Sequence, residues 1–187
     1  MNARIYVSLQ ALASATTAMA LICPVQRANA DVLTVAAQGR IDPVCEIGVS
    51  TPVPTADFAT SGEVRGGALV NCNTGFAIKA TSANGALKSV ASASPGFTNS
   101  LNYKLSLIVP LSDAPGSWMK ASCGSATLVA GQSACALSPG GPGLQSNGAA
   151  SINQSAALNF SWKTPAKPRL VAGSYQDTIT ISIAAAP

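Results

Sequence analysis

Histidine is absent from the chain. Its absence removes the commonest general base, the Ser-His and Cys-His nucleophile pairs, and the ligand sets of most catalytic zinc sites. Charge is sparse as well, at 10% of residues with seven carboxylates in all. These acids are dispersed, mostly beside turns, and read as surface charges rather than as the paired carboxylates of a glycosidase. Gly131-Gln132-Ser133-Ala134-Cys135 looks like half of a nucleophile elbow, but a cysteine stands where the second glycine belongs and no partner base exists. The glycine-rich run at 138–143 is followed by Leu144 and Gln145, where a phosphate loop needs Gly-Lys-Ser/Thr. No enzyme is expected, and no metal or cofactor. The formal net charge of +4 includes Arg4 and Arg27 of an N-terminal leader. The remaining cations are scattered and no run pairs them with aromatics along a face, so no nucleic-acid partner is expected. Aromatics are only 5% of the chain, which leaves a core to be built largely from Val, Ile, Leu and Ala.

The leader comes first among the features that are present. Arg4 gives a basic start, residues 5–21 are mostly apolar, and Ala28-Asn29-Ala30 offers a small-residue cleavage site. Residues 1–30 thus read as a cleaved secretory signal peptide. Ser8, Gln10, Thr16 and Thr17 interrupt the run, which weakens a permanent membrane span. Ile22 precedes Cys23, where a lipoprotein acylation signal wants a small residue, so removal is expected rather than anchoring. Residues 31–187 suffice for a single domain. Within them Cys45, Cys72, Cys123 and Cys135 form an even set, which in an exported chain implies oxidised pairs. Several pairings are possible; Cys45 with Cys72 and Cys123 with Cys135 are favoured because each pair brackets a turn-rich segment. Each would contribute roughly 3 kcal/mol in the chain-entropy account. With no Cys-x-x-Cys spacing, a zinc site is disfavoured.

The clearest periodicity lies in the stretch 173–183. Tyr175, Asp177, Ile179, Ile181 and Ile183 share one face, and Gln176, Thr178, Thr180 and Ser182 the other. That is a half-buried strand of an antiparallel sheet. Residues 31–41 alternate too, with Leu33, Val35, Ala37, Gly39 and Ile41 on one parity. Between them the spacing predicts a short strand near 57–59 inside a loop-rich stretch at 50–67, then a strand at 68–81 bent at Gly75. A turn follows at Asn84-Gly85, a surface loop at 88–100 and a clean strand at 101–109. Trp118 is expected to cover one end of the core. A hairpin of 127–130 with 133–137, a loop at 138–143 and a strand at 156–162 complete the pattern. No helix is predicted after the leader. The fold class is all-β, an antiparallel sandwich.

The ending Gly173-Ser174-Tyr175-Gln176-Asp177-Thr178-Ile179 resembles the Gly-x-Tyr-x-Asp-Thr-aliphatic terminal strand of the spore coat protein U family, which includes the pilins of archaic chaperone-usher pili. The likeness extends to the alternating segment before Cys45 and to Leu69-Val70-Asn71-Cys72 leading into Phe76-Ala77-Ile78. The resemblance implies an immunoglobulin-like sandwich that lacks its final strand. It implies a groove accepting a donated strand, lined by Tyr175, Ile179, Ile181 and Ile183. It also implies that residues 31–41 are the donor, with Leu33, Val35, Ala37, Gly39 and Ile41 entering a neighbour's groove. The partners implied are homologous pilus subunits joined head to tail, a periplasmic chaperone and an outer-membrane usher. The place implied is the cell surface, with a role in adhesion or biofilm formation. Two departures stand beside the likeness: the chain ends in Ala184-Ala185-Ala186-Pro187, where the family commonly has a large apolar residue, and the Cys123/Cys135 pair lies outside the matching pattern. A monomeric secreted binding module or adhesin is the competing reading, with a ligand site near Trp118 or the loops. A secreted hydrolase comes third.

Overall fold

The computed structural model describes residues 36, 38–113 and 116–186. The leader at 1–30 and Leu33, Val35 and Ala37 of the expected donor lie outside the described residues. Gly39 and Ile41 are described, belong to no strand and are exposed, Ile41 to 87%. Arg40–Pro187 is the compact unit that carries the fold.

Its strands in chain order are β1 (Cys45–Thr51), β2 (Gly62–Cys72), β3 (Phe76–Ser82), β4 (Leu87–Lys88), β5 (Phe97–Thr98), β6 (Ser100–Leu101), β7 (Tyr103–Pro110), β8 (Trp118–Gly124), β9 (Leu144–Gln145), β10 (Ser151–Trp162), β11 (Arg169–Leu170) and β12 (Ile179–Ala185). A large antiparallel sheet runs β1-β2-β10-β7-β8 and a smaller one β12-β3-β9. Short pairs β4-β6 and β11-β5 serve the loops at one end. Alternation explains which side chains meet. Phe76, Ile78 and Ala80 of β3 face Leu105, Leu107 and Val109 of β7, Val70 of β2 and Ala156 of β10 in one buried cluster. The molecule is an all-β sandwich, closed by disulfides Cys45–Cys72 and Cys123–Cys135 in the expected pairing.

Several local expectations are corrected. The stretch 68–81 is not one bent strand: the chain leaves the large sheet at Cys72 and enters the small one at Phe76. Asn73 secures that crossing, accepting the Val44 N–H at 2.8 Å and donating to the Asp42 carbonyl at 3.0 Å. Gly75 is needed there, since a Cβ would sit 2.7 Å from the Ala186 carbonyl oxygen. No strand forms at 57–59, whereas residues 62–67, read as loop, are strand. Their glycines serve close packing: a Cβ on Gly66 would meet Val53 at 2.8 Å and one on Gly67 the Ser50 hydroxyl at 2.7 Å. The hairpin expected at 127–137 is a 3-10 turn, Ser125–Leu128, followed by a loop. Buried Ser138 organises that loop, its hydroxyl donating to the Thr127 carbonyl at 2.6 Å and accepting the Cys135 N–H at 3.1 Å. Trp118 does not cover the core; it projects from the outer face of β8 opposite Pro110 and is 58% exposed. The final strand starts at Ile179 rather than at Gly173.

Candidate functional site

β12 is hydrogen-bonded to β3 on one side, with Ile181 opposite Ala80 and Ile183 opposite Ile78. Its other edge has no strand partner among the described residues. β1 likewise pairs only with β2, and β1 and β12 lie near one another across the two sheets. On this flank the apolar side chains are only partly covered. Ile179, Ile181 and Ile183 of β12, Ile47 of β1, Val64 of β2 and Phe160 of β10 turn toward the core yet stay half-buried. Among the four residues expected on an accepting strand, the three isoleucines are therefore together on β12. Tyr175 is not; it precedes the strand and packs against Phe58 with ring centroids 6.2 Å apart.

At the Ile179 end of β12 lies a cavity of about 730 Å³. Phe58, Tyr103, Phe160, Trp162 and Tyr175 all line it, a concentration in a chain so poor in aromatics. Phe58 meets Trp162 edge-on at 5.0 Å between centroids, and the Trp162 indole donates to the Thr60 carbonyl at 2.8 Å. The Tyr175 hydroxyl donates to the Val171 carbonyl at 2.9 Å. The indole and phenol polar ends are thus satisfied by loop carbonyls, which leaves ring surface for apolar contact.

One carboxylate borders this cavity. Asp177 Oδ2 accepts the Ser82 hydroxyl at 2.5 Å and the Tyr103 hydroxyl at 2.6 Å. Its Oδ1 accepts the backbone N–H groups of Asn84 at 3.0 Å and Thr178 at 2.8 Å. Ser82 Oγ in turn accepts the Gly85 N–H at 2.7 Å, in the expected Asn84-Gly85 turn where Gly85 has φ +68°. Burial first, and then the hydrogen bond to the Asp177 carboxylate, push the Tyr103 phenol well above its ordinary value. Tyr103 is therefore a donor throughout the physiological range.

Sequence reasoning found the isoleucine ridge but not the opposite wall. Phe160 and Trp162 share a strand with a visible alternation; Phe58 lies in a Pro-flanked stretch with no local period, and only the tertiary fold brings it to the cavity. Trp118 stands on the outer face of the large sheet, apart from this site. Among the described residues no group of His, Cys, Asp and Glu could hold a metal, and no helix is long and apolar enough to cross a membrane. The two disulfides fit maturation in an oxidising compartment outside the cytoplasm. No protein-family model matches the chain, and no curated protein matches it significantly.

Proposed function

We propose that this chain is a subunit of a surface filament, an immunoglobulin-type sandwich short of one strand, whose groove takes a strand supplied by another molecule. The observation that carries the reading is the ridge Ile179, Ile181 and Ile183, only partly buried on a strand whose outer edge has no strand partner among the described residues and which lies near β1. A strand laid there would bond its main chain to β12 and drop alternate side chains onto the ridge, the two components of strand addition. Completing the burial of a large aliphatic side chain is worth up to about 1.5–3 kcal/mol. Residues 31–41, with Leu33, Val35, Ala37, Gly39 and Ile41 in alternation, are the segment proposed to enter the next copy. Such a contact is heterologous and does not close, so it propagates into a fibre. It also turns an exposed edge, normally an aggregation hazard, to use. In this reading residues 1–30 are a cleaved leader. A periplasmic chaperone shields the groove, an outer-membrane usher exchanges the shield for the next subunit, and the fibre serves adhesion or biofilm formation.

The test is an unboiled detergent gel of the oxidised protein, full-length against a variant lacking residues 31–41. A heat-labile ladder from the full-length chain, lost in the truncation but with the truncation still binding a synthetic 31–41 peptide, is the expected result. If both run as monomers and the truncation merely unfolds, the first segment belongs to its own sandwich and a monomeric binding module takes over as the reading.

A further inference from the structure

We propose that Asp177 is a positioning residue for strand acceptance, a latch that fixes the head of β12 and the spacing of the two sheets at the cavity before any strand arrives. The inference rests on the strand-accepting reading above. Its basis is where the four donors come from. Ser82 ends β3 in the small sheet and Tyr103 begins β7 in the large one, so a single oxygen, Oδ2, ties one sheet to the other at the cavity wall. Oδ1 holds the turn after β3 through Asn84 and the residue just ahead of β12 through Thr178. Ser82 and Tyr103 are buried, at 2% and 5% exposure, so losing their acceptor leaves hydroxyls without water to replace it.

The place of this cluster separates it from an ordinary stabiliser. Among the described residues β12 is bonded on one side only, and its inward side chains are only partly buried. A groove lined this way gains by collapsing, because closing the sheets would remove apolar surface from water. Asp177 opposes both collapse and splaying, since each would break short charge-assisted bonds in a site of low polarity. Only a carboxylate can do this: it is acceptor-only with two oxygens, whereas an asparagine would turn an NH₂ group toward two of the four donors. A preformed groove raises the fraction of molecules able to receive a strand, and apparent affinity scales with that fraction.

The experiment uses the monomeric, oxidised full chain and a fluorescent synthetic peptide of residues 31–41. Association and dissociation rates are read for the wild type, D177N and Y103F, with a melting curve for each. The expected result is association slowed about tenfold or more in D177N and less in Y103F, with dissociation changed by no more than about twofold. Wild-type association by a folded D177N, whatever its melting temperature, overturns the latch and leaves the strand-accepting reading intact. Should D177N fail to fold, Y103F decides by the same criterion, since it removes one hydroxyl and keeps the other three donors. A wild-type chain that takes up no peptide overturns the reading itself, and the latch with it.

Discussion

On one flank of the sandwich β8 and β9 are bridged by chain: the 3-10 turn, the loop stapled by Cys123–Cys135, and the Ala80 N–H donating to the Leu137 carbonyl at 2.8 Å. Leu128 and Leu137 from those segments are fully buried. On the other flank β1 and β12 stand opposite with no such bridge among the described residues, and isoleucines of similar size are only partly buried. The residue types hardly differ between the flanks. What differs is whether the described residues supply a cover, so the partial exposure on the β12 side does not come from a lack of apolar residues.

The contrast can be broken by mutation. Leu137→Ala should cost about 2–5 kcal/mol in urea denaturation, as a fully enclosed leucine leaves a cavity. Removing the second cystine as C123A/C135A should cost about 3 kcal/mol by the same measurement, because its loop is no longer constrained. Ile181→Ala, in the chain with no added strand, should cost less, about 1 kcal/mol, since its side chain is only partly buried. An I181A loss equal to that of L137A would erase the difference between the flanks.

Finer probes sharpen it. Hydrogen exchange should find the β12 amides that point to the free edge exchanging far faster than those paired with β3, and slowing when a 31–41 peptide is added. Uniform protection along β12 would mean that its outer edge is already covered. The smallest effect concerns Tyr103. Its folded pKa is raised above the ordinary phenol value of 10.0, so its contribution is fully present below that value and is lost as pH rises above it. The alkaline fall in stability beyond about pH 10 should therefore be shallower in Y103F than in the wild type.

Much of the frame was legible before any coordinates. Strands β7 and β10 follow from clean alternation free of glycine, and the cystine pairs from the turns they bracket. Other parts were hidden for physical reasons. Gly62, Gly66 and Gly67 carry the sign of a loop, yet they occur in β2 because neighbouring side chains press onto the backbone there. β8 alternates weakly, its inward residues being Met119, Ala121 and Cys123, and its exposed tryptophan points away from the core. At the candidate site the period of two placed Tyr175 and Asp177 on the isoleucine face but could not reveal that Asp177 stands outside the strand. Its hydroxyl partners come from β3 and β7, 95 and 74 residues away along the chain.

The place of the first cystine bears on how this molecule would carry mechanical load. Cys45 opens β1 and lies opposite Cys72, the last residue of β2. Tension applied to the chain ahead of Cys45 would, without that bond, peel β1 from β2 one rung at a time, starting at this pair. With the bond in place the pull bypasses the β1 ladder and passes covalently into β2, which is flanked by strands on both sides. Edge strand β1 can then be loaded along its leading segment without unzipping.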